Sequence, residues 1–436
     1  MMKKFLNLSV LMLVFLVACG TADSIGEEEA ETTEVTENNG ADFDWRAYEG
    51  ETVTIGRWSG SDAEEATLPE LFEAFYALTG ITVEERIYAE YMLNLTTDLI
   101  GGIAPDVFYV DSSEFPGLHA DGVLVNLDTF IANTPDFNPD DFYAPLMDAF
   151  RVDGSVYGIP KDFSTLGLFY NETLLAEAGL TSEDIPTDMA EMPVFLSELA
   201  AGLPDNVTPG VIEAGLTRHL FVFEANGTPL IDEDGFAVLG QADQLEYMQL
   251  LVDAYQAGYL ATPADLGDDW SGDSFGLENV AMMIEGNWAV GHLNQNFANV
   301  DWGVVALPTV NGNQGSMAFT VSWSMNAASD NQGPAWLFMN FVNGAQGQRI
   351  MAEGATLLPS RMSVAQAMDI ENDPVLGVFA AAGSYATPWQ LGVNLPIVYN
   401  TYGNYFPGAL SGEMTLQETV ERIMEVANSE IQVHGQ

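Results

Sequence analysis

Val53-Thr54-Ile55-Gly56-Arg57-Trp58-Ser59-Gly60-Ser61-Asp62 opens the stretch whose reading decides the fold. A short β-rich run, Val53 to Ile55, gives way to a polar loop at Trp58-Ser59-Gly60-Ser61-Asp62. Leu68, Leu71, Phe72, Phe75 and Leu78 then recur at spacings of three and four and Gly80 closes the pattern, as an amphipathic helix requires. Ile81-Thr82-Val83 starts a second strand and Tyr91 to Ile100 reads as a second helix. Pro105-Asp106-Val107-Phe108-Tyr109-Val110 reads as a buried strand ending at Asp111-Ser112-Ser113. Strand, helix, strand, helix, strand is the pattern of a parallel α/β sheet. Such sheets bind ligands at the carboxyl ends of their strands, where both polar loops fall.

The whole chain has 436 residues, too many for one ordinary core, and 47% of them are hydrophobic, enough to bury two or three. Against 64 acidic residues stand 11 basic ones, for a net charge of −53. Nucleic-acid binding needs Lys and Arg to neutralise phosphates, so this balance argues against it, and against a polybasic mode of membrane association. Cys19 is the only cysteine, so no intrachain disulfide can form. His119, His219, His292 and His434 are scattered without metal-ligand spacing, so no metal or cofactor is expected. Asp232-Glu233-Asp234-Gly235 lacks the remaining spacing of a calcium loop and reads as a turn.

Lys3 and Lys4 precede an apolar run from Phe5 to Ala18, which is too short for a comfortable membrane span and has the form of a secretory signal. Its end, Leu16-Val17-Ala18-Cys19-Gly20, resembles a bacterial lipobox. That resemblance implies cleavage after residue 18, lipid on the Cys19 thiol, and acyl anchoring at the outer face of the cell membrane or in the periplasm. Residues 19–51 follow as an acidic tether with too little apolar surface to offset its ordering entropy.

Further along lies Val156-Tyr157-Gly158-Ile159-Pro160-Lys161-Asp162-Phe163-Ser164-Thr165-Leu166-Gly167-Leu168-Phe169-Tyr170-Asn171. Pro160, Gly167 to Asn171, Leu175 and Glu177 resemble the signature of the family 1 extracellular solute-binding proteins, the maltose-binding-protein-like receptors of sugar ABC importers. Lys161 departs from it, because an apolar residue is usual there. Ala176-Glu177-Ala178-Gly179-Leu180, Ala281 to Trp288, Trp302 to Pro308, Met325 to Val342 and Leu358-Pro359-Ser360-Arg361 resemble further family segments in the same order. The resemblance implies two discontinuous α/β lobes of the type II binding-protein kind, joined by hinge strands around a cleft. Lobe one would be 52–162 with 309–345, and lobe two 163–308 with 346–436. It also implies a monomeric receptor that closes on a neutral carbohydrate and hands it to permease subunits, with no enzymatic step.

A sugar presents flat C–H faces and outward hydroxyls, so aromatic rings, carboxylates and amides are the side chains that suit it. Trp58, Trp288, Trp323 and Trp389 sit in or beside polar, turn-rich stretches and are candidate platforms, whereas Trp336 lies in a helical apolar pattern and reads as core. Asp62, Asp111, Asp162 and Glu285 are the candidate hydroxyl acceptors, with Ser59, Ser112, Ser164 and Asn287 as secondary partners. A cationic amine held by carboxylates and aromatic faces is the alternative ligand. A glycoside hydrolase using two cleft carboxylates is the alternative from another class.

Overall fold

The computed structural model describes residues 43–434; the signal, Cys19 and most of the expected tether lie outside the described residues. Residues 45–50, the last part of the stretch read as tether, form turns, and Phe43 and Trp45 pack against the core. Strand β1 (Thr52–Arg57) lies parallel to β2 (Thr82–Ile87) and β3 (Val107–Asp111), as the alternating pattern requires. Helix α1 (Asp62–Thr79) joins β1 to β2. Its cap Ser61 accepts a hydrogen bond from the Glu64 amide, Leu68, Leu71 and Phe75 are buried, and Gly80 ends it at φ 71°. That left-handed conformation is one that a glycine adopts without a Cβ clash. In β3, Val107, Phe108, Tyr109 and Val110 are all buried, as befits a strand covered on both faces.

Beyond the small hairpin β4 (Arg151–Val152) and β5 (Ser155–Val156) comes the long strand β6 (Gly158–Asn171). The remaining strands are β7 (Thr208–Val211), β8 (Leu260–Ala261), β9 (Val280–Gly286), β10 (Trp302–Val305), β11 (Met317–Met325), β12 (Leu358–Pro359) and β13 (Thr387–Pro388). The main path of the sheet runs β2-β1-β3-β11-β6-β9-β7-β8. β6 is its pivot: residues 158–165 pair with β11, and residues 166–170 pair with β9. Two large cores flank this change of partner. Val156 and Ile159 belong to the first, with Phe75, Tyr109, Trp336 and Phe338. Leu166, Leu168 and Tyr170 belong to the second, with Phe221, Tyr247, Tyr402 and Phe406.

The helix Ala345–Ala355, read from sequence as entering the second lobe, has Ile350 and Met351 against the first core and Gly354 close to Thr67 of α1. Asp232 turns the chain as expected, its Oδ1 accepting from the amides of Asp234 and Phe236. Trp336 is core, with its indole nitrogen donating to Thr134 Oγ1 at 2.8 Å. Among the described residues no helix is long and apolar enough to cross a membrane.

Candidate functional site

A cavity of about 410 Å³ opens at the carboxyl end of β3. Asp111 and Glu114 line it from β3 and the following turn, Arg218 from a short helical turn after β7, Trp288 from the start of the helix after β9, and Phe319 from β11. Trp389 and Tyr399 complete the aromatic lining. The Trp389 segment is stitched to β3: Ser112 Oγ donates to the Trp389 carbonyl at 3.2 Å, and Gln390 Nε2 donates to the Ser112 carbonyl at 2.9 Å. Phe319 stands between the two tryptophans, with ring centres 5.4 Å from Trp288 and 5.9 Å from Trp389. Tyr399, 36% exposed, meets Trp389 edge-on.

Trp288 is held by its neighbours rather than left to swing. Its Nε1 donates to Glu285 Oε2 at 2.9 Å, and a Cβ on Gly286 would stand 2.2 Å from the indole, so the ring can fold back only over a glycine. Glu285 is fully buried and takes a two-pronged bond from Arg218, whose Nη2 reaches Oε2 at 2.8 Å and whose Nε reaches Oε1 at 3.2 Å. The Arg218 guanidinium lies 5.0 Å from the centre of the Trp288 ring. Burial raises the Glu285 pKa, and the Arg218 charge opposes that rise. Ring, cation and carboxylate are thus one unit.

On the opposite wall, Asp111 Oδ1 accepts from the Ser113 amide at 2.9 Å and the Ser113 hydroxyl at 2.5 Å. Burial raises the Asp111 pKa against those two bonds. Glu114 is raised by its own burial and by the charge of Asp111.

The structure therefore gathers Asp111, Trp288 and Trp389 in one cavity, with Glu285 directly behind Trp288. Trp58 is half-buried beside the first core, edge-on to Tyr91 and Tyr109 at 4.9 Å. Trp323, expected at the cleft, is 2% exposed and packed in that core, 4.3 Å from Tyr109 and edge-on to Phe338. Its flanking serines belong to a strand rather than a turn, and alternation sends the indole inward while Ser322 and Ser324 bond each other on the other face. Asp162, expected as a hydroxyl acceptor, is ion-paired with Lys161, which also reaches Glu64 at 3.2 Å. Lys161 is the extra residue of a β-bulge, since Val321 pairs with Asp162 while Ser322 pairs with Pro160. Asp62 opens α1, and its side chain lies outside the described ones. Among the secondary partners, Ser112 is buried behind the cavity, Ser59 donates to Glu65, and Asn287 Oδ1 accepts from the Thr165 amide.

Sequence reasoning passed over Arg218, Glu114, Phe319 and Tyr399. For Arg218 a signal existed: in a chain this short of cations, each basic residue outside the signal marks a carboxylate that must be paired.

The mixed α/β fold with two cores on one sheet is similar to that of solved substrate-binding and sugar-binding proteins. The chain belongs to the bacterial extracellular solute-binding protein family, whose model matches residues 70–378. It is 24% identical over 394 residues to the erythritol/L-threitol-binding protein of Mycolicibacterium smegmatis, covering 81% of this chain and 78% of that one. Its fold is similar to that of an ABC substrate-binding protein of Listeria monocytogenes in complex with cycloalternan, at a TM-score of 0.76 and 20% identity, covering 88% of this chain and 99% of that one. It is similar also to the sugar-binding protein MalE of Xanthomonas citri, at a TM-score of 0.75 and 19% identity, with coverage of 88% and 99%.

Proposed function

We propose that this protein is the carbohydrate-binding component of an ABC importer, and that the cavity beside Trp288 is where it holds the sugar. The observation that carries this reading is the grouping of Trp288, Phe319, Trp389 and Tyr399 with the carboxylates Asp111 and Glu114 in one cavity of about 410 Å³. Aromatic faces suit the C–H faces of a sugar ring, and carboxylates accept from its hydroxyls at roughly 1.5–3 kcal/mol per charge-assisted bond. A micromolar complex needs only about −8 kcal/mol, so one or two stacked rings and a few such bonds are sufficient. The cycloalternan named for one similar structure, and the sugar binding named for the other, support the same class.

In this reading the two cores are the cores of two lobes, and β6, which changes partner between residues 165 and 166, is one of the crossing strands. Sugar draws the lobes together because only the closed form touches it from both sides. No covalent step occurs. Cys19 carries the lipid that holds the receptor at the outer face of the membrane, beside the permease it serves.

Calorimetry with a panel of mono- and oligosaccharides tests the ligand class: saturable binding of at least one member is expected, and silence across the panel with folded protein overturns the reading. Cys19→Ala tests the anchor and is expected to move the protein from the membrane to the soluble fraction.

A further inference from the structure

Two helices that wall the cavity beside Trp288 also wall a second one. The short helix Phe115–Ala120 starts directly after Glu114, and the helix Leu395–Ser411 supplies Pro396 and Tyr399 from its first turns. A further cavity of about 830 Å³ is lined by Gly117, Ala120 and Asp121 on the one side and by Val393, Asn394 and Ile397 on the other. Residue spacing makes the two cavities neighbours. Glu114, Gly117 and Ala120 stand three positions apart and so share one face of their helix, while Phe115 and Leu118 turn into the core. Glu114 lines the first cavity, and Gly117 and Ala120 line the second. The facing helix divides in the same way, with Pro396 and Tyr399 on the first cavity and Asn394 and Ile397 on the second. A molecule seated against Trp288 reaches the second cavity along the gap between these helices.

Gly117 keeps that gap wide. A glycine inside a helix costs stability, and nothing around Gly117 requires one. Its φ is not positive, and a Cβ built on it would meet no described atom within 4 Å. What the glycine supplies is the room its side chain would have taken, on the face turned to the cavity. Ala120, exposed on the same face, adds only a methyl group. Across the gap Val393, 57% exposed, joins Ile397 and Phe236 as apolar lining, and Asp234 and Gln432 bring polar groups. That mixture suits the C–H faces and hydroxyls of further sugar rings. Small-molecule cavities usually measure roughly 300–1,000 Å³, so the first, at about 410 Å³, is near the lower end, and the second is about twice as large.

We propose that the ligand is a chain of sugars rather than a single ring. One end stacks in the aromatic cavity and the following units lie in the second cavity, where Gly117 and Ala120 set the room left for them. This rests on the carbohydrate reading above and narrows it to oligosaccharides, with the Gly117 face of the short helix determining length.

Calorimetry with neutral homologous series tests it: glucose to maltopentaose, glucose to cellopentaose, mannose to mannopentaose and xylose to xylopentaose. Each is titrated into the full chain and into the double variant Gly117→Leu with Ala120→Leu. Leucine is a strong helix former, so the variant fills the second cavity without unmaking its helix. In at least one series the tetrasaccharide is expected to bind at least about tenfold tighter than the disaccharide, equivalent to 1.4 kcal/mol. The double variant is expected to cut that gain to within about threefold. If only mono- or disaccharides bind, or if every responding series gains nothing with length, this inference falls and the carbohydrate reading stands. A gain that the double variant leaves intact also overturns it, because the added rings would then lie elsewhere. If no member of any series binds to the folded protein, the carbohydrate reading falls as well.

Discussion

On the wall of the cavity built around β9, Glu285 is fully buried and Arg218, at the cavity edge, holds it by two nitrogens while lying over the Trp288 ring. On the wall built by the end of β3, Asp111 takes its bonds from Ser113, and among the described residues no Lys or Arg is ion-paired with it or with Glu114. The first wall is closed upon itself: each charge has its partner, and the unit presents an aromatic face. The second wall has its carboxylates on the cavity lining. The difference teaches that a fully buried acid in this molecule is locked on a cation, while partly exposed acids can line the cavity on hydroxyl and amide partners. Both walls raise the pKa of their carboxylates.

The largest effect is expected from breaking the closed wall. Arg218→Ala leaves Glu285 buried without its cation and should cost about 3 kcal/mol of stability, since removing one partner of a buried pair costs more than removing both. The double variant Arg218→Met with Glu285→Gln should recover most of that loss. Urea unfolding of the three proteins decides it; a single variant within about 0.5 kcal/mol of wild type would mean that the pair does not hold this wall.

Immediately behind Arg218 lies His219, buried, with Nε2 2.6 Å from the Glu213 carbonyl and Nδ1 3.4 Å from the Tyr247 hydroxyl. Burial, aided by the Arg218 charge, lowers its pKa to about 4. Between pH 6.5 and 4 the unfolded chain therefore binds a proton here that the folded chain refuses, so this residue makes stability fall as the pH falls through that window. From pH 7 to pH 5 the loss is about 2 kcal/mol relative to His219→Gln, which lacks the titration. Equal slopes in wild type and variant, read from unfolding midpoints at the two pH values, would show that His219 is protonated in the fold and that the closed wall tolerates a second positive charge.

Trp288→Ala, which removes the face of the closed wall but not its ion pair, should weaken ligand binding by about tenfold, or 1.4 kcal/mol, in a protein that still folds. Unchanged affinity would take Trp288 out of the site and shift the aromatic role to Trp389 and Tyr399.

The two walls differ also in how far the sequence disclosed them. The β1-α1-β2-α2-β3 unit, with α2 spanning Tyr91–Gly101, was legible because its apolar spacings are local, and Asp111 followed from it as the residue at a strand end. Trp288 and Glu285 were legible through a family resemblance in the stretch before residue 289. The pairing of Glu285 with Arg218 was not, because the two are 67 positions apart and Leu216-Thr217-Arg218 carries no periodic pattern. Lys161 read as a mismatch in a motif; its meaning depends on a bulge that only strand register reveals. Trp323 misled for the opposite reason: Ser322 and Ser324 suggest a turn, but they are buried small residues facing Gly158, where a Cβ would stand 2.4 Å from Ser322 Oγ. Local polarity was read as exposure where strand alternation set the direction instead.

The smallest effect belongs to the open wall and has the reverse sign. Glu114 has its pKa raised by burial and by Asp111, so at pH 7 its charged form is less comfortable in the fold than in the unfolded chain. A carboxyl with a raised folded pKa favours folding more as the pH falls toward and below that pKa, and holds stability down above it. Glu114→Gln removes the charge at every pH. It should therefore stabilise the ligand-free protein at pH 7 by a few tenths of a kcal/mol, with the gain fading as the pH falls and the wild-type carboxyl protonates. Unfolding midpoints at the two pH values test this directly. A variant clearly less stable than wild type at pH 7 would mean that Glu114 already has a favourable partner in the folded protein. The two walls would then be alike, each closed upon itself.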